Sequence, residues 1–276
     1  LLLILPALTH AQTDVSLFFK KGNQEQLTFV ESESGNLYSK LGHHGPAIEN
    51  PWYGLRLYFS KKTAIDVYSK AQNRIELREK QWYPSKKEQL EGWGADYYKV
   101  GKSVGLGGIK LWDEGQVIDL HPVSRRSASV KQYGDSASMR MISEGIPYKG
   151  QKVDIGVQVT VYADRRIAEV EASCISGEDV QFVTGINFFD HLEIKKTEQY
   201  IATWGIHPED VAAEKVEVGA AIFIPPGINF DIRKLEDQYI LISDLRQNLK
   251  FQISSANKRE AGINAMEDFI ELLRIK

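Results

Sequence analysis

The segment Gly42-His43-His44-Gly45-Pro46-Ala47-Ile48-Glu49-Asn50-Pro51-Trp52-Tyr53 gathers two imidazoles, a carboxylate and an amide. Imidazole titrates near neutrality, so His43 and His44 have the chemistry of an acid or base, with Glu49 and Asn50 to orient them or to bind hydroxyls. Gly and Pro keep the segment out of regular structure, as in a loop at a sheet edge. The same residues also suit a hydrogen-bonded surface turn. As metal ligands the adjacent histidines are weak, because they seldom converge on one ion without a third ligand.

A second segment runs Gly92-Trp93-Gly94-Ala95-Asp96-Tyr97-Tyr98-Lys99-Val100-Gly101-Lys102-Ser103. Trp93 offers a face on which a pyranose ring can stack, and Lys102 a cation to neutralise a carboxylate or, if desolvated, a base. A glycine-rich turn with a core Trp and a solvated Lys fits the pattern equally. A third group, His121-Pro122-Val123-Ser124-Arg125-Arg126, places two Arg on opposite faces of an extended stretch. Arg126 could therefore grip a carboxylate or sulfate bidentately, as could Arg56, which alternates with Leu55 and Leu57 and points off their apolar face beside Tyr58. His191 and His207 complete the inventory, the latter in Thr203-Trp204-Gly205-Ile206-His207-Pro208. No phosphate-cradling glycine loop with Lys, no His-Glu-x-x-His and no Gly-x-Ser-x-Gly occurs. Gly105-Leu106-Gly107-Gly108 lacks the strand-to-helix setting of a nucleotide loop and reads as a tight bend between strands.

Strands must position these groups, for the dominant period is two. Val153, Ile155, Val157, Val159 and Val161 alternate with Asp154, Gly156, Gln158, Thr160 and Tyr162, the pattern of a half-buried antiparallel strand. Ala163-Asp164-Arg165 turns the chain into a strand ending at Cys174. Further strands are expected at 26–31, 52–59, 64–70, 109–120 with a hairpin turn at Asp113-Glu114-Gly115, 127–133, 136–144, 180–189, 200–205, 218–225, 238–245 and 250–255. Strands at this spacing predict an all-β fold, an antiparallel β-sandwich. Ser85-Lys86-Lys87-Glu88 and Asn264-Ala265-Met266-Glu267 are capping-box patterns, the first ended by Gly92, the second opening a short C-terminal helix with Phe269, Ile270 and Leu273 on one side.

The chain has 276 residues, of which 42% are hydrophobic and 26% charged, with a net charge of −3 and no basic or acidic run. That composition suits one large core and argues against a nucleic-acid surface; an anionic substrate needs a local cluster of cations. Leu1 to Leu8 is apolar and precedes Thr9-His10-Ala11-Gln12, the pattern of a secretory leader cleaved after Ala11. The expected organisation is thus a residual signal peptide over 1–11 and a single catalytic domain over 12–276, exported to the periplasm and not held in a membrane. Cys174 is the only cysteine, which excludes a disulfide within the chain and a cysteine-ligated cluster; it reads as a buried structural thiol.

Gly42-His43-His44-Gly45-Pro46 with Glu49-Asn50, Lys61-Lys62-Thr63-Ala64-Ile65-Asp66-Val67-Tyr68-Ser69-Lys70, Gly92-Trp93-Gly94-Ala95-Asp96 and Val100-Gly101-Lys102-Ser103-Val104-Gly105-Leu106-Gly107-Gly108 resemble the domain-of-unknown-function family 4861 of bacterial polysaccharide-utilisation loci. Through that family the chain is similar to ulvan oligosaccharide dehydratases. The resemblance implies a galactose-mutarotase-like supersandwich and an enzyme that dehydrates the non-reducing-end uronic acid of an oligosaccharide to a 4,5-unsaturated uronyl residue. No cofactor and no metal are expected, and the partner is expected to be an anionic oligosaccharide. For that chemistry Arg126 or Arg56, helped by Lys102, would neutralise the sugar carboxylate; His43 and His44 would move the protons, with Tyr97 or His207 as the reserve acid; Glu49, Asn50 and Trp93 would hold the ring. A polysaccharide lyase, a mutarotase or a carbohydrate-binding module on the same fold are the alternatives.

Overall fold

The computed structural model describes residues 12–80, 83–208 and 212–274; the expected leader lies outside them. Along the chain come β1 (Asp14–Ser16), β2 (Phe29–Ser32), a one-turn 3-10 segment at Gly42–His44, β3 (Ala47–Glu49), β4 (Tyr53–Leu57), β5 (Ile65–Ser69), α1 (Lys86–Leu90), β6 (Lys110–Asp113), β7 (Gln116–Ile118), β8 (Arg125–Tyr133) and β9 (Ser136–Tyr148). There follow β10 (Gln151–Tyr162), β11 (Ala168–Cys174), β12 (Val180–Asn187), β13 (Glu193–Lys196), β14 (Tyr200–Gly205), β15 (Val218–Phe223), β16 (Phe230–Leu235), β17 (Gln238–Arg246), β18 (Asn248–Asn257) and α2 (Met266–Arg274). The protein is all-β, with two short α-helices.

Three sheets form: β13-β14-β15-β18-β11-β10-β9-β8-β2, β16-β17-β12-β6-β7 and β1-β3-β4-β5. Contacts of β3 with β9 and β10, of β5 with β18 and of β12 with β15 set both smaller sheets against one side of the nine-stranded sheet. That side carries the β-branched half of β10, Val153 to Val161, each residue at most 1% exposed, so the period of two in the sequence becomes the wall of the core. The smaller sheets are stitched together by the glycine bend: Leu106 N–H donates to Ile65 O at 2.9 Å and Gly107 N–H to Gly185 O at 2.8 Å. Gly105 has φ +73°, and a Cβ there would lie 2.0 Å from Ile65 O, so only glycine allows this approach.

The capping box of α1 is made in full, Ser85 Oγ accepting from Glu88 N–H at 3.3 Å and Glu88 Oε2 from Ser85 N–H at 2.7 Å. At α2 Asp268, not Glu267, takes the reciprocal place, accepting from Asn264 N–H at 2.8 Å. The helix buries Phe269 and Met266 against Trp204, Ala221 and Ala256 on the far side of the large sheet. Residues 47–49, expected in a loop, are instead strand β3, whose partners β1 and β4 satisfy its backbone despite Pro46 and Pro51. Strands β1, β13 and β16 were also not expected; all three are sheet-edge strands, the first two only three and four residues long. Cys174 is buried, as its strand position predicts. Among the described residues no helix is long and apolar enough to cross a membrane.

Candidate functional site

Arg56 on β4 faces Asp66 across the ladder to β5. Its Nη2 lies 2.5 Å from Asp66 Oδ2 and 2.5 Å from Asp96 Oδ1, and the side chain is 1% exposed. Asp66 also accepts from Tyr58 Oη at 2.6 Å and from its neighbour Val67 N–H at 2.8 Å. Burial pushes the Asp66 carboxyl up, while Arg56 and these two donors pull it back. Asp96 is delivered by a backbone bridge, Ser69 N–H to Ala95 O at 3.0 Å and Ala95 N–H to Ser69 O at 2.9 Å. The preceding Gly94 is needed for that approach, since a Cβ would stand 2.4 Å from Ser69 O. One guanidinium therefore serves two carboxylates.

The His43-His44 turn lies behind this pair. Gly42 sits against the Phe18 ring and Gly45 against Leu57 O, each with room for no Cβ, its ideal position 2.0 Å from the neighbour. Held between them, His43 (φ 52°) and His44 (φ 62°) both take the left-handed conformation, a strain of order 1 kcal/mol or more per residue. His43 Nε2 donates to Leu77 O at 3.1 Å; burial and the nearby Arg56 push its pKa down to about 3. His44 Nδ1 donates to Tyr38 O at 3.1 Å and its ring stacks on Tyr38 at 3.9 Å. Its Nε2 then accepts from Tyr83 Oη at 3.5 Å, and the Tyr83 ring lies 5.3 Å from the Arg56 guanidinium. Burial takes His44 down to about 4. Both imidazoles are thus neutral at neutral pH, where the sequence suggested titration: the carbonyls that hold them fix the tautomers, and burial removes the charged form.

Asp96 opens onto a cleft of 330 Å³ that is also lined by Tyr97, His207, Lys86 and Lys215. His207 is 5% exposed, with its ring packed 4.7 Å from Tyr98 and 5.2 Å from Phe189. Its Nδ1 accepts from Lys99 N–H at 3.1 Å, so the proton of the neutral ring sits on Nε2. That Nε2–H is buried and has no hydrogen-bond partner among the described residues. Burial lowers the His207 pKa to about 3, which fixes the ring as a neutral donor and not a proton acceptor. Tyr97 Oη accepts from Arg259 Nη1 at 3.3 Å; burial nevertheless raises its pKa and keeps the phenol protonated. The rim is tied down by Gln89 on α1, whose Oε1 accepts from Ala213 N–H at 2.7 Å and whose carbonyl accepts from Arg259 at 2.5 Å.

Of the residues singled out in the sequence, Tyr97 and His207 meet in this cleft, and Arg56 stands one contact behind it through Asp96. His43 and His44 lie deeper. Glu49 is spent on Lys70 and on the N–H groups of Glu76 and Leu77 at 2.9 and 2.7 Å. Asn50 Oδ1 accepts from Trp52 and Tyr53 N–H, both at 3.1 Å, which closes the turn into β4. Trp93 carries the Arg74 guanidinium at 3.8 Å and Lys80 Nζ at 3.9 Å from its ring centre, so cations occupy the ring proposed for a sugar. Lys102 is exposed on the turn after Val100. Arg126 is 0% exposed; it donates to Ser143 Oγ at 2.9 Å and to the carbonyls of Gly35 and Leu120. Each of its three nitrogens donates to the chain, so the buried side chain clamps two loops and does not present its fork at a surface. His43, Lys102, Arg126 and His207 therefore do not share one surface. Asp66, Asp96 and Lys86 were missed as site residues, although the first two stand inside the quoted blocks. The available signal was an Arg and an Asp on neighbouring, otherwise apolar strands. Among the described residues no group of three or more His, Cys, Asp or Glu is placed to hold a metal ion.

The chain belongs to the family described as Domain of unknown function (DUF4861), whose model matches residues 6–275. No curated protein gives a significant match.

Proposed function

We propose that this protein is an exported, periplasmic dehydratase with a galactose-mutarotase-like sandwich fold, and that it removes water from the non-reducing-end uronic acid of an oligosaccharide. The observation that carries the reading is the meeting of Asp96, Tyr97 and His207 in the lining of one cleft, where the His207 Nε2–H has no partner among the described residues. β-Elimination needs three things: a base for the C5 proton, an acid for the C4 oxygen, and donors for the carboxylate as charge flows into it. Asp96, beside the Arg56 guanidinium at 2.5 Å, takes the C5 proton. The electron pair of that C–H bond becomes the C4–C5 double bond. The C4–O bond breaks, and the Tyr97 phenol protonates the departing hydroxyl, so water leaves. Transfer of the captured proton from Asp96 to the phenolate restores both groups. His207 Nε2–H and the Lys86 ammonium receive the sugar carboxylate; a neutral imidazole donor suits this role because it needs no proton to be taken up first. The substrate is an anionic oligosaccharide, and no cofactor enters the scheme.

The test is incubation of the protein with oligosaccharides ending in glucuronate, iduronate or galacturonate. The expected product is one water lighter and absorbs in the ultraviolet as a conjugated unsaturated acid. Asp96→Asn and Tyr97→Phe should each lower turnover about 10²–10⁴-fold. Chain cleavage without loss of water would make the protein a lyase, an unchanged mass with faster anomer exchange a mutarotase, and binding without turnover a carbohydrate-binding module. Near-full activity of Asp96→Asn would remove the assignment of the base.

A further inference from the structure

Arg259 stands just beyond the end of β18 and is not among the residues that line the cleft. Its Nη1 donates to Tyr97 Oη at 3.3 Å and to Gln89 O at 2.5 Å, and no described carboxylate forms an ion pair with it. The turn that carries it is closed from several sides. Asn257 Oδ1 accepts from Arg259 N–H at 3.1 Å, while Asn257 N–H and Nδ2 donate to Glu260 Oε1 at 2.9 and 3.1 Å. Asn257 Nδ2 also donates to Lys70 O at 2.8 Å, and Glu260 Oε2 meets Arg166 Nη2 at 2.5 Å. Asn257 is 1% and Glu260 8% exposed. A buried, hydrogen-bonded network thus fixes where this guanidinium points.

The bond to the phenol has a direction. A guanidinium can only donate, so Tyr97 Oη accepts, and its own proton is left for another acceptor; no described residue takes it. Tyr97 is 6% exposed and lines the cleft beside Asp96 and His207. Burial raises the phenol pKa, the hydrogen bond and charge of Arg259 pull it back, and Glu214 and Glu76 add to the rise. Lys86, Lys215 and the neutral His207 are the other proton-bearing groups of the cleft. Among the described residues, Arg259 is the cation that touches the phenol oxygen.

Resting on the reading of Tyr97 as the acid, we propose that Arg259 is its positioning residue: it aims the phenolic proton into the cleft and balances the negative charge left on Oη when that proton is given up. In that step the Oη–H bond breaks and its electron pair stays on oxygen. The proton passes to the C4 oxygen as the C4–O bond opens, and the phenolate persists until Asp96 returns the proton it captured. Arg259 keeps its own protons throughout. Its interaction strengthens as the phenolate forms, so it acts on the transition state more than on substrate binding.

The test compares wild type, Arg259→Met, Arg259→Lys, Tyr97→Phe and the double variant Tyr97→Phe/Arg259→Met on oligosaccharides ending in glucuronate, iduronate or galacturonate. Ionisation of Tyr97 is followed separately by carbon NMR of ring-labelled tyrosine, its signal assigned by its loss in Tyr97→Phe. Arg259→Met should lower kcat about tenfold or more with KM within about twofold, and its Tyr97 signal should titrate at higher pH than in wild type. Arg259→Lys should restore part of both. The double variant should be no slower than Tyr97→Phe alone, because Arg259 acts through the phenol. Where Met lowers the melting temperature, Arg259→Gln, which keeps a donor and drops only the charge, gives the same comparison. Equal kcat in wild type and Arg259→Met, an unmoved Tyr97 titration, or a double variant slower than Tyr97→Phe by the full Arg259→Met factor would each overturn the proposal. Near-full activity of Tyr97→Phe, or no dehydration by wild type, would take away the acid itself and the proposal with it; the NMR titration needs no turnover and so tells that failure from a failure of the Arg259 contact.

Discussion

Replacing Arg56 by Met tests the centre of the site most directly. The side chain is 1% exposed and sits 2.5 Å from two carboxylates. Met fills similar space but leaves Asp66 and Asp96 in a buried setting without their cation. Breaking one side of a buried ion pair costs about 3–5 kcal/mol, a large part of the roughly 5–15 kcal/mol that holds a typical domain folded. The loss should depend on pH. In the native protein Arg56 opposes the upward push of burial on Asp66; without it, the folded-state pKa of Asp66 rises further above the unfolded value. The folded variant then binds more protons than the unfolded chain, so its stability falls as pH rises through that window and recovers as pH is lowered, by up to about 1.4 kcal/mol per pH unit for one carboxyl. Urea unfolding of wild type, Arg56→Met, Asp66→Asn and the double variant at pH 7 and pH 5 measures all of this. The expected pattern is a full loss at pH 7, a smaller one at pH 5, and a double variant less damaged than the sum of the singles. A loss below about 1 kcal/mol, or one that does not change with pH, would refute the picture of one guanidinium balancing two buried carboxylates.

Three further outcomes are expected. His43 and His207 are held near pKa 3 against an ordinary 6.5; the unfolded chain binds the extra protons, so their contribution to stability is present above 6.5 and is lost as pH falls through the interval. His207→Gln should flatten the acid limb of the unfolding profile by about 1.4 kcal/mol per pH unit relative to wild type. Gly94→Ala should cost about 1–3 kcal/mol and most of the turnover, because its methyl meets Ser69 O and pushes Asp96 off Arg56; a change in melting temperature without a change in rate would contradict this. Arg126→Met should leave the carbonyls of Gly35 and Leu120 without donors, at about 1–3 kcal/mol each; hydrogen exchange should rise around both residues while the kinetics at the cleft stay as in wild type.

Most of the strands were legible because burial writes itself as alternation: β10, β11 and β14 fall where the valine, alanine and tyrosine patterns put them. The hairpin at Asp113-Glu114-Gly115 and the bend at Gly105 were readable from glycine alone. The edge strand β16 alternates only over Phe230 to Arg233 and leaves Ile232 and Leu235 exposed, so burial marks it weakly, and β3 was hidden by its flanking prolines. For the site, residue type proved a weaker guide than partner. His43, Glu49 and Arg126 look reactive in isolation, yet each is consumed by a backbone group or a buried ion pair, which local sequence does not encode. Asp96 went unselected because its importance depends on an Arg on another strand. Tyr97 and His207 were selected, but their joint placement required the fold.

The Arg56 junction has a consequence for how the protein comes to work. One of its carboxylates is supplied by the adjacent strand, and so forms with a local hairpin; the other arrives only after α1 has been laid down and Ala95 has bridged to Ser69. A chain that has made its hairpins but not closed this later segment would have sheets without a competent cleft. The activity proposed for the cleft would then report final closure and lag behind spectroscopic signs of strand formation, with its recovery and circular dichroism parting company during renaturation.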